Sequence, residues 1–292
     1  MKNLLSLLFD LLKIGFVIVL FLFSACSDSK PQIDRDNAYH IIFLHHSTGN
    51  VIWKGKPSGT DVIKNFFSDV HAVPEWFDTY NASQEKAYLI EERSFPKAEP
   101  YGWNNYPFDY YNIWVKNGGE DFFNEEPTLE NLTNDYQMII FKHCFPVSLI
   151  KKDSGEPDIG SDEKRVENYK VQYIALREKM HQFSETKFLV WTSAAMVESK
   201  TNPEQARLAR EFVDWVKSKW DEPDDNIYLW DFYELETEGG LYLTNENARS
   251  EWDSHPSKEF AARVAPLFCN RIIDVAENKG KSTTLTGEKK SN

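Results

Sequence analysis

Short apolar runs alternate with amphipathic segments along most of this chain. The runs have the length of strands, and they are residues 41–44, 87–91, 137–142, 187–192 and 226–231. Apolar residues recur at helical spacing in the segments between them, which are residues 61–70, 162–183, 203–220 and 257–276. Strands that are apolar on both faces are typical of parallel sheets covered by helices. The sequence therefore predicts a three-layer α/β/α sandwich with a mostly parallel, flavodoxin-like sheet.

Residues 93–136 interrupt this alternation. They contain four prolines and three glycines among many aromatic residues. Long connections of this kind often form a wall or a lid over a site. We expect this segment to border the site rather than to pack as a regular element.

The first 25 residues have the pattern of a secretory signal. Lys2 and Lys13 precede an apolar run over 14–23, which is shorter than the ~20 residues that a membrane-spanning helix needs. The run ends in Phe23-Ser24-Ala25-Cys26, which resembles a bacterial lipobox. The resemblance implies that residues 1–25 are a lipoprotein signal peptide and that Cys26 carries the lipid. An uncleaved signal anchor is the alternative.

The rest of the chain divides by composition into three parts. Residues 26–36 are polar and predict a tether, and residues 37–276 have the size of one globular domain. Residues 277–292 are rich in Lys, Gly, Ser and Thr, which predicts a disordered tail. With the lipid on Cys26, we expect an exported protein that is anchored to the bacterial cell envelope, at the outer membrane or the cell surface.

The charge of the chain excludes one class of partner. The net charge is -13, and no basic stripe suited to phosphate binding is present in the sequence, so we expect no nucleic acid partner. Aromatic residues make up 14% of the chain, which is compatible with ring stacking on sugars as well as with ordinary core packing.

Two cysteines lie within the predicted domain. Cys144 and Cys269 can pair in an oxidising compartment, or they can be two separate buried thiols. The sequence alone leaves both possibilities open.

Three residues have the chemistry of a hydrolytic triad. Ser47 follows the first predicted strand, where open α/β sheets place their ligands. Asp253 and His255 lie just before the last predicted helix. A serine hydroxyl needs a base to take its proton, and the base works best when a carboxylate orients it. Ser47 is therefore the candidate nucleophile, with His255 as base and Asp253 as its partner.

The order serine, acid, histidine on an α/β sheet resembles the SGNH (GDSL-like) hydrolase family, of which this chain looks like a divergent member. The resemblance implies catalysis by Ser47, Asp253 and His255 without a metal or another cofactor. It also implies an oxyanion hole formed by the backbone N–H groups of Ser47 and Gly102. Asn104 or Asn105, and Lys142 or His143, are candidates for further oxyanion donors, and we favour Asn104 and Lys142.

The chain departs from the family pattern at three places. His45 and His46 stand where the family has glycine and aspartate, and the acid precedes the histidine by two residues instead of three. The family's Gly-x-Asn-Asp block is replaced by the segment 142–146, Lys-His-Cys-Phe-Pro. We assign substrate contacts to His46 and His143, which lie at these departures, and to Trp103 in the segment 93–136.

Each candidate also has a simpler interpretation. Ser47, Asp253 and His255 can cap helices, and a histidine can be an ordinary core residue. Histidines and Asp253 are also zinc-ligand types, although no pair has a helical HxxxH spacing. Cys144 beside His143 is a weaker candidate nucleophile, because neighbours in a strand point in opposite directions.

The sequence and this resemblance predict a serine esterase or deacetylase that removes acyl groups, acetyl above all, from a carbohydrate or another small ester at the cell envelope. An O-acyltransferase would use the same triad. The alternative from another class is a non-catalytic surface lipoprotein that holds glycans with Trp103, Trp114 and Tyr110.

Overall fold

The computed structural model describes residues 37–55 and 71–291. The predicted signal peptide, Cys26, the tether and the short helix predicted over 61–70 lie outside the described residues. Within the described ranges, no helix combines the length and the apolar character that crossing a membrane requires.

The residues that the structure describes form one main sheet and two small hairpins. The strands are β1 Tyr39–His45, β2 Tyr88–Ser94, β3 Phe122–Phe123, β4 Glu126–Pro127, β5 Met138–Phe141, β6 Lys187–Trp191, β7 Ile227–Trp230, β8 Ala248–Ser250 and β9 Asp253–Pro256. The main sheet has the order β2-β1-β5-β6-β7, and all its neighbours are parallel. Strands β3 and β4, and strands β8 and β9, form antiparallel pairs.

Helices cover both faces of this sheet. They are α1 Ser47–Lys54, α2 Ala72–Gln84, α3 Pro107–Tyr110, α4 Leu129–Asp135, α5 Val166–His181, α6 Pro203–Trp215, α7 Phe232–Thr237 and α8 Lys258–Asn278. Tyr111–Lys116 and Val216–Trp220 continue α3 and α6 as π-helical turns. The strand order follows the flavodoxin-like pattern, so the predicted three-layer α/β/α sandwich is confirmed.

Successive residues of each strand belong to opposite cores. Phe43, Ile140 and Trp191 pack with α1, α2 and α8 on one face, whereas Leu44 and Phe141 pack with α5 and α6 on the other. Side chains alternate along a strand, so a strand that is buried on both faces needs apolar residues at every position. This requirement explains the continuous apolar runs in the sequence.

The segment 93–136 departs from the expectation of a wall or lid. Tyr110, Trp114 and Leu129 are fully buried. The Tyr110 ring lies 5.2 Å from that of Phe141 on β5, and the Trp114 ring lies 5.3 Å from the same residue. Burying such large rings strongly favours folding, so this part of the segment joins the core. The same burial removes Tyr110 and Trp114 from the predicted glycan contacts.

The C-terminal tail also differs from the prediction of disorder over 277–292. Helix α8 continues to Asn278, and the residues after it are fixed by hydrogen bonds. The backbone N–H of Thr283 donates to Asp274 Oδ2 at 2.7 Å, and Trp230 Nε1 donates to the Thr286 carbonyl at 3.0 Å. These polar bonds, together with the packing of Leu285 against the core, hold residues 279–291, and composition does not reveal such bonds.

Candidate functional site

The candidate site lies at the carboxyl ends of β1 and β5. These strands are parallel neighbours, so the residues that follow them meet at one edge of the sheet. His46 and Ser47 follow β1, and Lys142 follows β5. The turn into α1 is tight, because a Cβ on Gly49 would lie 2.5 Å from Cβ of His45. Only glycine permits this approach, which fixes α1 closely against the end of β1.

The simple capping roles do not account for the three triad candidates. His46 is the N-cap of α1, and Ser47 lies one position inside the helix without a capping bond. The last helix is capped by Ser257, whose hydroxyl accepts from the N–H of Phe260 at 3.1 Å. Ser47, Asp253 and His255 are therefore available for other interactions.

Asp253 and His255 form a hydrogen-bonded pair on β9. His255 Nδ1 lies 2.6 Å from Asp253 Oδ1, which also accepts from the backbone N–H of His255 at 3.0 Å. Partial burial acts to raise the pKa of Asp253, but these bonds and the charge of Arg249 outweigh it and hold the pKa below its usual value. The carboxylate is thus ionised, and it orients the imidazole so that Nε2 is the remaining ring nitrogen.

Ser47 lies in the same neighbourhood as this pair. Helix α1 packs against β9, and the His255 ring lies 5.0 Å from that of Phe145, the residue after Cys144. The Ser47 hydroxyl contacts Cys144 Sγ at 3.9 Å. Among the described residues, the hydrogen bonds of His255 go to Asp253 and none joins it to Ser47. The structure therefore assembles the pair of acid and base, and it directs the serine hydroxyl to a thiol.

A buried contact between Lys142 and Cys144, which was not predicted from the sequence, lies beside Ser47. Lys142 is 1% exposed and Cys144 7% exposed, and Lys142 Nζ lies 3.1 Å from Cys144 Sγ. Burial alone would raise the pKa of the Cys144 thiol. Three neighbours outweigh the effect of burial and lower the pKa of the Cys144 thiol. They are Lys142, through its charge and its hydrogen bond, the backbone N–H of Thr48, and the Ser47 hydroxyl. Lys142 and Cys144 are two residues apart in an extended segment after β5, so their side chains point to the same side. This spacing is the signal for the contact that the sequence contains.

The loop carrying the predicted oxyanion donors is held by Asn105. Its Oδ1 accepts from the backbone N–H of Cys144 at 2.8 Å, and its Nδ2 donates to the Phe95 carbonyl at 2.8 Å. Asn104, the predicted donor, is exposed instead. Gly102 has a φ of +58° with open space around its Cα, and its N–H lies 3.4 Å from the Ala98 carbonyl. Asn105 therefore fixes the position of the loop. The Lys142 ammonium group contacts Cys144 Sγ instead of acting as the predicted oxyanion donor.

His46 is buried next to an exposed indole. Its Nε2 lies 2.5 Å from the Pro96 carbonyl, and its Nδ1 is buried without a hydrogen-bond partner among the described residues. Burial, followed by smaller effects that include the Lys142 charge, lowers the pKa of His46 to about 4, so the ring is neutral at pH 7. The Trp103 ring lies 5.4 Å away and is 78% exposed. Trp103 is therefore an exposed ring beside the end of β1, and its predicted contact with substrate stays a prediction.

His143 is a core residue, which corrects its prediction as a substrate contact. Its ring lies 4.8 Å from that of Tyr110 and 5.7 Å from that of Tyr173. Burial and the Lys142 charge lower the pKa of His143 to about 3. Successive residues after β5 point to opposite faces, so His143 enters the core while Lys142 and Cys144 point to the site.

The zinc-ligand types considered from the sequence are dispersed. His45 Nε2 lies 2.9 Å from Glu92, while His46 and His143 have the separate surroundings given above. Within the part of the chain that the structure describes, the metal-type cluster found is His181, Glu222 and Asp225. It lies near the amino ends of β6 and β7, at the edge of the sheet opposite Ser47.

Cys144 and Cys269 are both buried free thiols. Cys269 is fully buried on α8, where burial raises the pKa of its thiol well above the usual value. The surroundings of Cys144 therefore lower the pKa of its thiol, whereas those of Cys269 raise it.

The chain was compared with protein-family models, curated proteins and solved structures. No family model and no curated protein matches it. A solved structure of a carbohydrate esterase, whose active site displays divergent catalytic and non-catalytic binding functions, is similar with a TM-score of 0.37 and 14% sequence identity. The similarity covers 81% of this chain and 65% of that chain, so this chain spans less than two thirds of the esterase's length. The roles of the site residues are therefore argued from their own geometry.

Proposed function

We propose that this protein is a serine esterase or deacetylase of the SGNH type, which removes acyl groups from a carbohydrate or another small ester. The observation that carries the proposal is the bond of 2.6 Å between Asp253 and His255, on a strand that packs against the helix beginning at Ser47. An ionised acid that orients an imidazole beside a serine at the carboxyl edge of a parallel sheet has the parts that acyl transfer needs.

In this mechanism the Ser47 hydroxyl attacks the acyl carbonyl and His255 Nε2 accepts its proton. The hydroxyl is directed to Cys144 in the structure, so attack requires a change of the Ser47 rotamer toward His255. The tetrahedral intermediate then collapses, His255 returns the proton to the leaving alcohol, and water releases the acyl group by the reverse sequence. We assign the backbone N–H of Ser47 to the oxyanion, where one donor is typically worth about 3 kcal/mol. The Gly102 N–H donates to the Ala98 carbonyl at 3.4 Å, so it joins the oxyanion only when that bond opens.

An acylated carbohydrate is the substrate class that we favour. The exposed Trp103 ring lies beside His46, the residue before Ser47. A flat aromatic surface at the mouth of a site suits the apolar face of a sugar ring. The export signal and Cys26 would place this activity at the cell envelope.

The test compares the wild type with Ser47→Ala on p-nitrophenyl acetate and on acetylated oligosaccharides. We expect kcat/KM to fall at least ~10³-fold, since the triad acts as a unit. Ser83→Ala is the matched control, because Ser83 is exposed on α2 and bonds only within its own helix, to the Tyr80 carbonyl. Equal rates for the wild type and Ser47→Ala would reject Ser47 as the nucleophile.

A non-catalytic glycan-binding protein is the second candidate, and the contact between Ser47 and Cys144 favours it because the serine lacks a bond to its base. Binding of acetylated oligosaccharides, measured by calorimetry, without release of acetate would support this candidate.

An O-acyltransferase would instead transfer the acyl group to an added sugar acceptor. Mass spectrometry of the products detects this transfer.

A further inference from the structure

The buried ammonium of Lys142 requires a counter-charge. Its side chain is almost completely excluded from solvent, and its hydrogen-bond partner among the described residues is Cys144 Sγ at 3.1 Å. An unpaired buried charge is strongly unfavourable, so buried lysines are found with an anionic partner. A thiolate at Cys144 supplies that anion.

The surroundings of Cys144 Sγ suit a negative charge. Besides Lys142, the Ser47 hydroxyl lies 3.9 Å away, and the Thr48 backbone N–H in the first turn of α1 bonds to the sulfur. The first turn of a helix favours anions because its N–H groups lack partners within the helix. Asn105 fixes the position of Cys144 through the bond to its backbone N–H at 2.8 Å.

Other titratable groups near this pair do not replace the thiolate as the anion. Glu236 is fully buried, and its Oε2 accepts from the Ala195 N–H at 2.6 Å. Burial outweighs this bond and the charge of Lys142 and raises the pKa of the carboxyl well above the usual value, which favours its neutral form. His46 and His143 are neutral at pH 7, as described above. Tyr110 is fully buried, and burial raises the pKa of its hydroxyl well above the usual value.

We propose that Cys144 is a thiolate modification site that reacts with small peroxides and forms a sulfenic acid next to Ser47. The sulfur attacks one oxygen of the peroxide, the S–O bond forms, and the O–O bond breaks with its electron pair leaving on the second oxygen, which takes a proton from water. The sulfur is oxidised by two electrons and the peroxide is reduced. His46, the residue before Ser47, has a buried Nδ1 without a partner among the described residues, and we assign this nitrogen as the acceptor for the peroxide O–H.

This modification also has a consequence for the hydrolase site. An oxygen added to Cys144 Sγ would enter the space beside the Ser47 hydroxyl, which lies 3.9 Å away. Oxidation therefore blocks acyl transfer. This consequence rests on the proposed function, whereas the reactivity of Cys144 does not.

The reactivity is tested on the full chain, with Cys26→Ser and Cys269→Ala leaving Cys144 as the single cysteine. Hydrogen peroxide is added at pH 7 with dimedone to trap the sulfenic acid, and the adduct is followed by mass spectrometry. A matched protein carries Cys26→Ser and Cys144→Ala, so that Cys269 remains. We expect dimedone labelling of Cys144 and none of Cys269, and failure of Cys144 to label would overturn the proposal.

The role of Lys142 is tested with Lys142→Met, which nearly preserves volume and removes the charge. Alkylation of Cys144 by iodoacetamide at pH 7 should slow by about threefold to tenfold, because each pKa unit changes the thiolate fraction tenfold and the higher nucleophilicity of a weaker acid offsets part of that change. An unchanged rate would contradict the ion pair.

If Lys142→Met does not fold, the pH profile of the unchanged chain decides the question. The alkylation rate of Cys144 should reach half of its plateau below pH ~8.5, the ordinary pKa of a cysteine. A midpoint at or above that value overturns the proposal. Esterase activity is recorded in parallel. This activity is measured before any peroxide or alkylating reagent is added. A protein that has no esterase activity before treatment but whose Cys144 then labels would reject the esterase proposal alone, and an active protein whose Cys144 is unreactive would reject this inference alone.

Discussion

Replacing His143 by phenylalanine should make the fold less sensitive to acid. The imidazole is enclosed by the rings of Tyr110 and Tyr173, and burial followed by the Lys142 charge lowers its pKa from 6.5 to about 3. In the unfolded chain the same group protonates near pH 6.5. Between these two values the unfolded state binds a proton that the folded state excludes, so acid favours unfolding.

The sign and the size of the effect follow from these two pKa values. The stabilisation from a neutral His143 is fully present above pH 6.5, and it is lost as the pH falls from 6.5 toward 3. A difference of about 3.5 pKa units corresponds to at most about 5 kcal/mol. Between pH 7 and pH 4.5, His143 alone should cost the wild type about 2 to 3 kcal/mol.

Urea unfolding at pH 7 and pH 4.5, followed by tryptophan fluorescence, measures this loss. His143→Phe should change the free energy of unfolding at pH 7 by no more than about 1 kcal/mol. It removes the bond of His143 Nδ1 to the Asn105 carbonyl at 3.2 Å, but it also removes the buried and unpartnered Nε2. Between the two pH values the variant should lose about 2 to 3 kcal/mol less than the wild type. Equal losses would refute the assignment of a low pKa to His143.

Three further substitutions test the site and the tail. Asp253→Asn should lower kcat by about 10²- to 10⁴-fold with little change in KM, because the imidazole loses its orienting carboxylate; steady-state kinetics with unchanged kcat would exclude this role. Trp103→Ala should raise KM for acetylated oligosaccharides about 2- to 10-fold through lost stacking, and an equal effect on p-nitrophenyl acetate would contradict sugar stacking. Asp274→Asn should lower the free energy of unfolding by about 2 to 4 kcal/mol in urea titrations, since its carboxylate holds both the tail and Arg271. An unchanged urea midpoint would show that these bonds do not stabilise the tail.

The strands of the main sheet could be predicted because burial on both faces leaves a local signal. The run Ile41–Leu44 lies within β1 and the run around Ile140 gives β5, with errors of a few residues at the ends. The tail could not be predicted in this way. Its order depends on hydrogen bonds from Thr283 and Trp230 to distant partners, and such pairings leave no periodic pattern in the sequence.

The site was predictable in part for the same reason. Ser47 and the pair of Asp253 and His255 stand out through their residue types and their places beside strands and a helix. The contact between Lys142 and Cys144 was not predicted, because nothing in the sequence shows that both side chains are buried together. Because successive side chains in an extended segment point to opposite faces, the sequence after β5 places Lys142 and Cys144 on one face and His143 on the other.

Asn105 has an evolutionary consequence. Its side-chain amide donates to the Phe95 carbonyl and to the Tyr110 hydroxyl and accepts from the Cys144 N–H. Only asparagine and glutamine carry an amide with these donors and this acceptor, and the glutamine side chain is one methylene longer. Homologues that keep this loop should therefore retain Asn105 while the exposed Asn104 varies freely. Where Asn105 is lost, residues 110 and 144 should change with it.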